Sequence, residues 1–242
     1  MGDQSKIWEY YQNVTPDVFL LSRPRLDFLL EQVRGRARAK DARILSIGSG
    51  DGYFEETAAA AGFSIVSLDP DEGVVKRLRT RGIESHHGSI AKLPFDPRSF
   101  DFAVASEVLE HLDEGVRAQG LSEVARILKT DGWFLGTVPY RENLSDHEVV
   151  CPACGNVFHR WGHLKSFSLS AMRGELEPHF GVVELKRTAF GSKKRTLLGK
   201  AKSMARLLLA KYGASVASPS LYFAAGRPLP AKSASVHGSL TD

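Results

Sequence analysis

Arg43-Ile44-Leu45-Ser46-Ile47-Gly48-Ser49-Gly50-Asp51-Gly52-Tyr53-Phe54 is the stretch that decides the fold. An apolar run from Ile44 to Ile47 reads as a buried strand, followed by a turn with glycine at every second position and a helix beginning near Tyr53. Glycines at 48, 50 and 52 let the backbone bend sharply and let a ligand lie against bare peptide groups. The helix start then offers unpaired N–H groups and the positive end of its dipole. A dinucleotide fingerprint needs its third glycine at position 53, where this chain has Tyr, so the pattern is G-x-G-x-G. Taken alone, the loop is weak evidence, because a tight strand-to-helix turn is the plain alternative.

The residues after the loop extend the pattern. An alanine-rich helix from Glu55 to Ala61 leads to a second apolar strand, Ser64-Ile65-Val66-Ser67-Leu68, ending in Asp69. In a doubly wound sheet the first two parallel strands are neighbours, so an acid at the end of the second faces the glycine loop and can accept both hydroxyls of a ribose. Asp69 also suits the role of helix N-cap, with Pro70 at the first helical position.

With three further stretches added, the chain resembles the class I S-adenosylmethionine (SAM)-dependent methyltransferases, of the type 11 kind. These are Gly88-Ser89-Ile90-Ala91-Lys92-Leu93-Pro94-Phe95, Ser99 to Val104, and Ser106-Glu107-Val108-Leu109-Glu110-His111. The resemblance covers roughly residues 40 to 190. It implies an α/β, Rossmann-like seven-stranded sheet flanked by helices, with the last strand antiparallel, and SAM as cofactor. By resemblance, Gly48, Ser49, Gly50 and Gly52 pass the methionine part, Asp69 and Pro70 hold the ribose, Ser89 and Ile90 flank the adenine, and Ser106 adjoins the methyl donor. The chain departs from the family at Ser46, where an acid is usual, and at Ser89, where Asp is frequent; both changes weaken or replace contacts to the cofactor.

At 242 residues with 43% hydrophobic content, the chain suits one α/β unit with a lid or insert. No run approaches the ~18 apolar residues of a membrane span, and Asp3, Lys6 and Glu9 stand where a signal peptide would be apolar, so a cytoplasmic protein is expected. A net charge of +4 is mild and does not by itself select nucleic acid or membrane.

The expected organisation is a helical N-terminal cap over 1–40, a SAM-binding core over 41–190 carrying a cysteine insert at 146–163, a basic helical insert and last strand over 191–228, and a disordered tail over 229–242. In the cap, Trp8, Tyr10 and Tyr11 are either pocket walls or packing on the sheet. Helices are expected from Arg23 to Val33, Asp71 to Arg81 and Val116 to Lys129. Strands are expected at Ile83–His87, Phe100–Ala105 and, after an Asp131-Gly132 turn, Trp133–Val138, then Val182–Leu185 and Leu221–Ala225.

The insert carries Cys151-Pro152-Ala153-Cys154-Gly155, then His159 and His163. Two thiolates two residues apart, with a glycine that lets the backbone wrap an ion, suit a zinc knuckle, and Cys151, Cys154, His159 and His163 would complete four ligands. The spacer between the pairs is shorter than usual, and two reduced cysteines in a surface loop is the plain alternative. By resemblance, His163-Leu164-Lys165-Ser166-Phe167-Ser168 sits above the methyl donor, which makes His163 a candidate base and hence a competitor for the ligand role. His147 and Glu107 are further candidates for catalysis, with Glu110 and His111 in the same mouth.

Residues 186–211 are rich in Lys and Arg, free of acids and interleaved with leucines. They suit a helix on an anionic membrane surface, a plain packed helix with a solvated basic side or, less well given the leucines, an RNA-facing patch. The expected function is methyl transfer to a hydroxyl, or second to an amine, of a small molecule or a glycan or lipid-linked intermediate. The alternatives are an RNA methyltransferase and a SAM-binding regulator without turnover.

Overall fold

The structure is a computed structural model that describes residues 5–190 and 219–230. Two helices lead in, α1 (Ser5–Asn13) and α2 (Arg23–Arg36), joined through a 3-10 helix at Pro16–Ser22. The core then alternates β1 (Arg43–Ile47), α3 (Tyr53–Ala60), β2 (Ser64–Asp69), α4 (Glu72–Thr80), β3 (Glu84–His87), β4 (Phe100–Ser106), α5 (Glu114–Ile127) and β5 (Leu128–Pro139). A hairpin of β6 (Glu148–Val150) and β7 (Val157–His159) precedes α6 (Leu169–Leu176), β8 (Phe180–Thr188) and β9 (Ser220–Pro228).

Seven strands form one sheet in the order β3-β2-β1-β4-β5-β9-β8. β1 to β5 pair in parallel, whereas β9 runs antiparallel to both β5 and β8. The expected seven-stranded sheet with its last strand reversed is therefore present. Alternation along β1 sends Leu45 and Ile47 to the face covered by α5 and α6, and Ile44 to the face covered by α2, α3 and α4. Buried residues on both faces (Leu121, Phe134 and Met172 on one; Leu29, Phe54 and Leu78 on the other) make the core continuous through the sheet. Truncating one such leucine to alanine costs about 2–5 kcal/mol.

Parallel order reverses between β1 and β4. Ile47 pairs with Leu68 on one side and Ala105 on the other, so the loops after β1, β2 and β4 emerge at one end of the sheet. A crevice opens at such a switch point because the chain leaves the adjacent strands in opposite directions.

Local chemistry shifts several expected boundaries. The N-cap of α4 is Asp71, whose side chain accepts from the Val74 N–H, so Asp69 does not cap that helix. α5 stops at Ile127 and β5 begins at once. Asp131-Gly132 lies inside β5, in a bulged stretch where the pairing jumps from Phe100–Leu128 to Phe102–Trp133. The basic segment 186–211 contributes Lys186, Arg187 and Thr188 to β8, while its remainder from 191 lies outside the described residues, as does the tail from 231. Among the described residues no helix is long and apolar enough to cross a membrane.

Candidate active site

A cavity of about 920 Å³ opens at the switch point. Its walls include the glycine loop, the ends of β2 and β4, the N-terminal helices and the segment around Glu142 to His163.

The glycine loop is fixed by backbone geometry. Gly48, Gly50 and Gly52 have φ of +77°, +56° and +88°. A Cβ at Gly48 would lie 2.8 Å from Val108, and one at Gly52 would lie 2.5 Å from Leu78. The Gly48 N–H donates to the Leu68 carbonyl, and the Ser49 N–H donates to Asp69 Oδ2 at 2.8 Å. Asp69 Oδ1 accepts from the Asp71 N–H at 2.9 Å. Asp69 is fully buried yet lines the cavity, and burial pushes its carboxyl up against the pull of these two amides. Each carboxylate oxygen has a second lone pair for a ligand hydroxyl.

Glu55, in the first turn of α3, is a site residue that sequence reasoning passed over. It is fully buried, lines the cavity beside Ser46 and Ser49, and neither carboxylate oxygen makes a well-formed hydrogen bond among the described residues. Burial drives its carboxyl up to about 7, with the two serines pulling the other way. The available signal was an acid flanked by Phe54 and Ala58, which both face the core.

At the end of β4, Ser106 Oγ accepts from Arg25 Nε at 2.9 Å, and Arg25 also stands 3.9 Å from Glu107 Oε1. Arg25 comes from α2, far away in sequence, and was not foreseen. Glu107 takes a left-handed φ of +56°, held by its N–H donating to the Thr137 carbonyl. Such strain in a non-glycine residue concentrates at functional sites. Pro70 lines the cavity, but Ser89 and Ile90 do not: Ser89 is exposed, and Ile90 is buried in the core against Gly120.

The far wall carries imidazoles and carboxylates. His163 Nδ1 and Glu142 Oε2 are 2.5 Å apart, and Glu142 Oε1 lies 3.6 Å from His159 and 3.7 Å from His147. Burial opposes ionisation of Glu142, yet the His163 hydrogen bond and the neighbouring imidazoles hold it below the usual carboxylate range. The His163 ring stands 4.7 Å from that of His111 and stacks on that of His159 at 4.6 Å. Burial drives His111 down to about 3, so its ring is neutral. Burial, then the charge of Glu107, pushes Glu110 well above the ordinary carboxylate range.

The four expected zinc ligands do not converge. Cys151 and Cys154 are free thiols in the turn between β6 and β7, Cys154 exposed, while His159 and His163 gather around Glu142. His159 Nδ1 accepts from the N–H groups of Trp161 and His163, which leaves the proton on Nε2 and removes a metal-binding lone pair. The N-terminal aromatics divide: Trp8 lines the cavity and packs edge-on against His111, Tyr11 packs on Trp161, and Tyr10 is half exposed.

The chain has a Rossmann-like α/β fold of the kind seen in solved methyltransferases. It superposes on a chain of the complex between the Haloferax volcanii Trm112 methyltransferase activator and a methyltransferase, with a TM-score of 0.65 at 17% identity, over 93% of this chain and 98% of that one. It also superposes on Burkholderia thailandensis 1,6-didemethyltoxoflavin-N1-methyltransferase, which holds 1,6-didemethyltoxoflavin and S-adenosylhomocysteine, with a TM-score of 0.64 at 18% identity over 93% and 86% of the two chains.

In sequence, residues 45–136 match the family model described as a methyltransferase domain. A relative in Mycolicibacterium smegmatis, named "Probable S-adenosylmethionine-dependent methyltransferase", is 32% identical over 123 residues, 50% of this chain and 46% of its own. The mitochondrial ubiquinone biosynthesis O-methyltransferase of Schizosaccharomyces pombe is 28% identical over 122 residues, 47% of this chain and 44% of its own. The chain spans about half the length of the curated relatives it matches.

Proposed function

We propose that the protein is a SAM-dependent methyltransferase acting on a hydroxyl of a small molecule. The observation that carries this reading is the cavity that joins the glycine loop, Asp69 and Glu55 at one end to an array of imidazoles and carboxylates at the other. The match of residues 45–136 to the methyltransferase domain model supports it.

SAM fits the donor end: the bare backbone at Gly48 and Gly50 admits its methionine part, and Asp69 has lone pairs left for ribose hydroxyls. Glu55 compensates for Ser46, supplying from α3 the acid that resembled proteins carry on β1, and its carboxylate, without a well-formed hydrogen bond among the described residues, suits the methionine ammonium. When bound, SAM supplies the electrophilic methyl group. The chain contributes alignment, exclusion of water and removal of the acceptor proton. Glu107, His147 and His163 all line the cavity as candidates for that proton. Oxygen is favoured as the acceptor atom because the far wall is rich in groups that bind or deprotonate a hydroxyl. Glycans and lipid-linked intermediates remain within this class through the basic leucine-rich segment 186–211.

Calorimetric titration of the full chain with SAM tests the reading, together with a screen of hydroxylated acceptors for release of S-adenosylhomocysteine. Binding that Asp69→Ala abolishes, with turnover on one acceptor class, is the expected result. Binding without turnover on any acceptor supports the regulator instead, and no binding by folded protein ends both.

A further inference from the structure

The acceptor end contains a confrontation of lone pairs. His111 Nδ1 lies 3.1 Å from the Gly162 carbonyl, an acceptor, so Nδ1 carries the ring proton and Nε2 presents its lone pair. That Nε2 is buried, has no hydrogen-bond partner among the described residues, and stands 3.9 Å from Glu110 Oε1. The Glu110 side chain is wholly buried, and among the described residues both of its oxygens also lack partners. A nitrogen lone pair therefore stands 3.9 Å from a carboxyl group, too far for a hydrogen bond, and a divalent cation that displaces the carboxyl proton would join the two.

His163 supplies the third side. Ligand atoms of Glu110, His111 and His163 lie within 4.8 Å of one another. Glu142 engages His163 through Nδ1, leaving Nε2 as the ring's other ligand atom. Both imidazoles thus hold an oxygen acceptor behind them, Gly162 O for His111 and Glu142 for His163, the arrangement that orients metal-binding histidines. The backbone brings the segments together, since the N–H groups of Leu164 and Lys165 both donate to the Glu110 carbonyl. Glu142, His159 and His163 form a second group, but there His163 Nδ1 already engages Glu142 and the His159 Nδ1 lone pair is taken by amides.

We propose that Glu110, His111 and His163 bind a divalent first-row transition cation, which takes an oxygen of the hydroxylated acceptor as a further ligand. Two imidazoles and a carboxylate suit that class of ion over calcium or magnesium. His111 and His163 line the cavity, so the remaining coordination positions face the acceptor end. A bound cation lowers the pKa of a coordinated hydroxyl. The O–H proton passes to Glu107, whose Oε1 is buried without a hydrogen-bond partner among the described residues. Cation binding stands independently of the methyltransferase reading; the acceptor ligand rests on it.

The test titrates the full chain, stripped by chelator, with Zn²⁺ and Mn²⁺ salts alone, reading stoichiometry by calorimetry and elemental analysis. SAM binding is measured separately on the same samples. The expected result is one ion per chain, retained by His159→Gln and by the Cys151→Ser/Cys154→Ser double variant. Glu110→Gln and His163→Gln should each weaken binding about a hundredfold or more. Their unchanged melting temperature and SAM affinity show that they fold.

The proposal is overturned if the wild-type chain retains no ion, if the cysteine variant loses it, or if Glu110→Gln keeps full affinity. Ion binding without SAM binding sinks the methyltransferase reading and leaves the cation site standing; SAM binding without an ion does the reverse.

Discussion

The two ends of the cavity are built in different ways. The donor end is short-range: Gly48 to Glu55 and Asp69 to Asp71 belong to consecutive β-α units, and its hydrogen bonds run mainly from backbone amides. The acceptor end joins residues 107–111 after β4 to residues 142–163 beyond β5, with α1 and α2 brought in from the N-terminus. The first end is fixed by bonds from the Gly48, Ser49 and Asp71 amides to Leu68 and Asp69. The second depends on which side-chain tautomer faces which partner.

If the donor end is a backbone device, the most damaging change is a side chain where φ is positive. Gly52→Val adds a β-branched residue at φ +88° with its Cβ 2.5 Å from Leu78. It should destabilise the protein by about 4 kcal/mol or more, read as the loss in urea-unfolding free energy. Next, Asp69→Asn keeps the size of the group but removes charge facing two amides and, in the proposed reading, the ribose. SAM affinity should fall about tenfold to a hundredfold by calorimetry; wild-type affinity would show that the donor end works without its acid.

Glu55 sharpens the comparison because, in the proposed reading, its carboxylate faces the methionine ammonium of SAM. Its carboxyl is raised to about 7, so it is half neutral there and ionised above. SAM affinity should therefore rise as pH goes from 6 to 8, by about threefold to tenfold, and Glu55→Gln should flatten that profile. Stability has the opposite sign: an acid with its folded value above its unfolded 4.5 costs stability progressively as pH rises from about 4.5 to 7. Unliganded Glu55→Gln should then melt higher than wild type at pH 8. The smallest effect belongs to His147, which is 37% exposed and 3.7 Å from Glu142. His147→Ala should change unfolding free energy by no more than about 0.5 kcal/mol; a loss of several would show that this pair is a major tie of the acceptor end.

Legibility in the sequence divides along the same line. Strand, glycine loop, helix, strand and acid are contiguous, and each obeys a local rule, so β1, α3, β2 and Asp69 could be read from spacing. Sheet order and the reversed last strand came from resemblance. Glu55 escaped because a helix reading treats an acid in the first turn as dipole complement, whereas here the residue points inward. Cys151, Cys154, His159 and His163 are close in sequence, but the β6–β7 hairpin carries the thiols out in its turn while His159 sits at its end. Spacing alone cannot report which lone pair of His159 its neighbours use. Asp69 read as a possible cap of α4, but Asp71 takes that role by accepting from the Val74 N–H, while Asp69 accepts from the Ser49 amide.

The hairpin is stitched down at its base. The Arg160 N–H donates to the His147 carbonyl, and Leu164 and Lys165 tie the outgoing chain to Glu110. Its outer turn, from Cys151 to Asn156, closes on itself through Cys151 and Gly155 amides and bears no wall of the cavity. For protein engineering that turn is a graft point: a short peptide or reporter loop can be spliced there beside the acceptor end, while the histidines stay anchored by bonds the graft never touches.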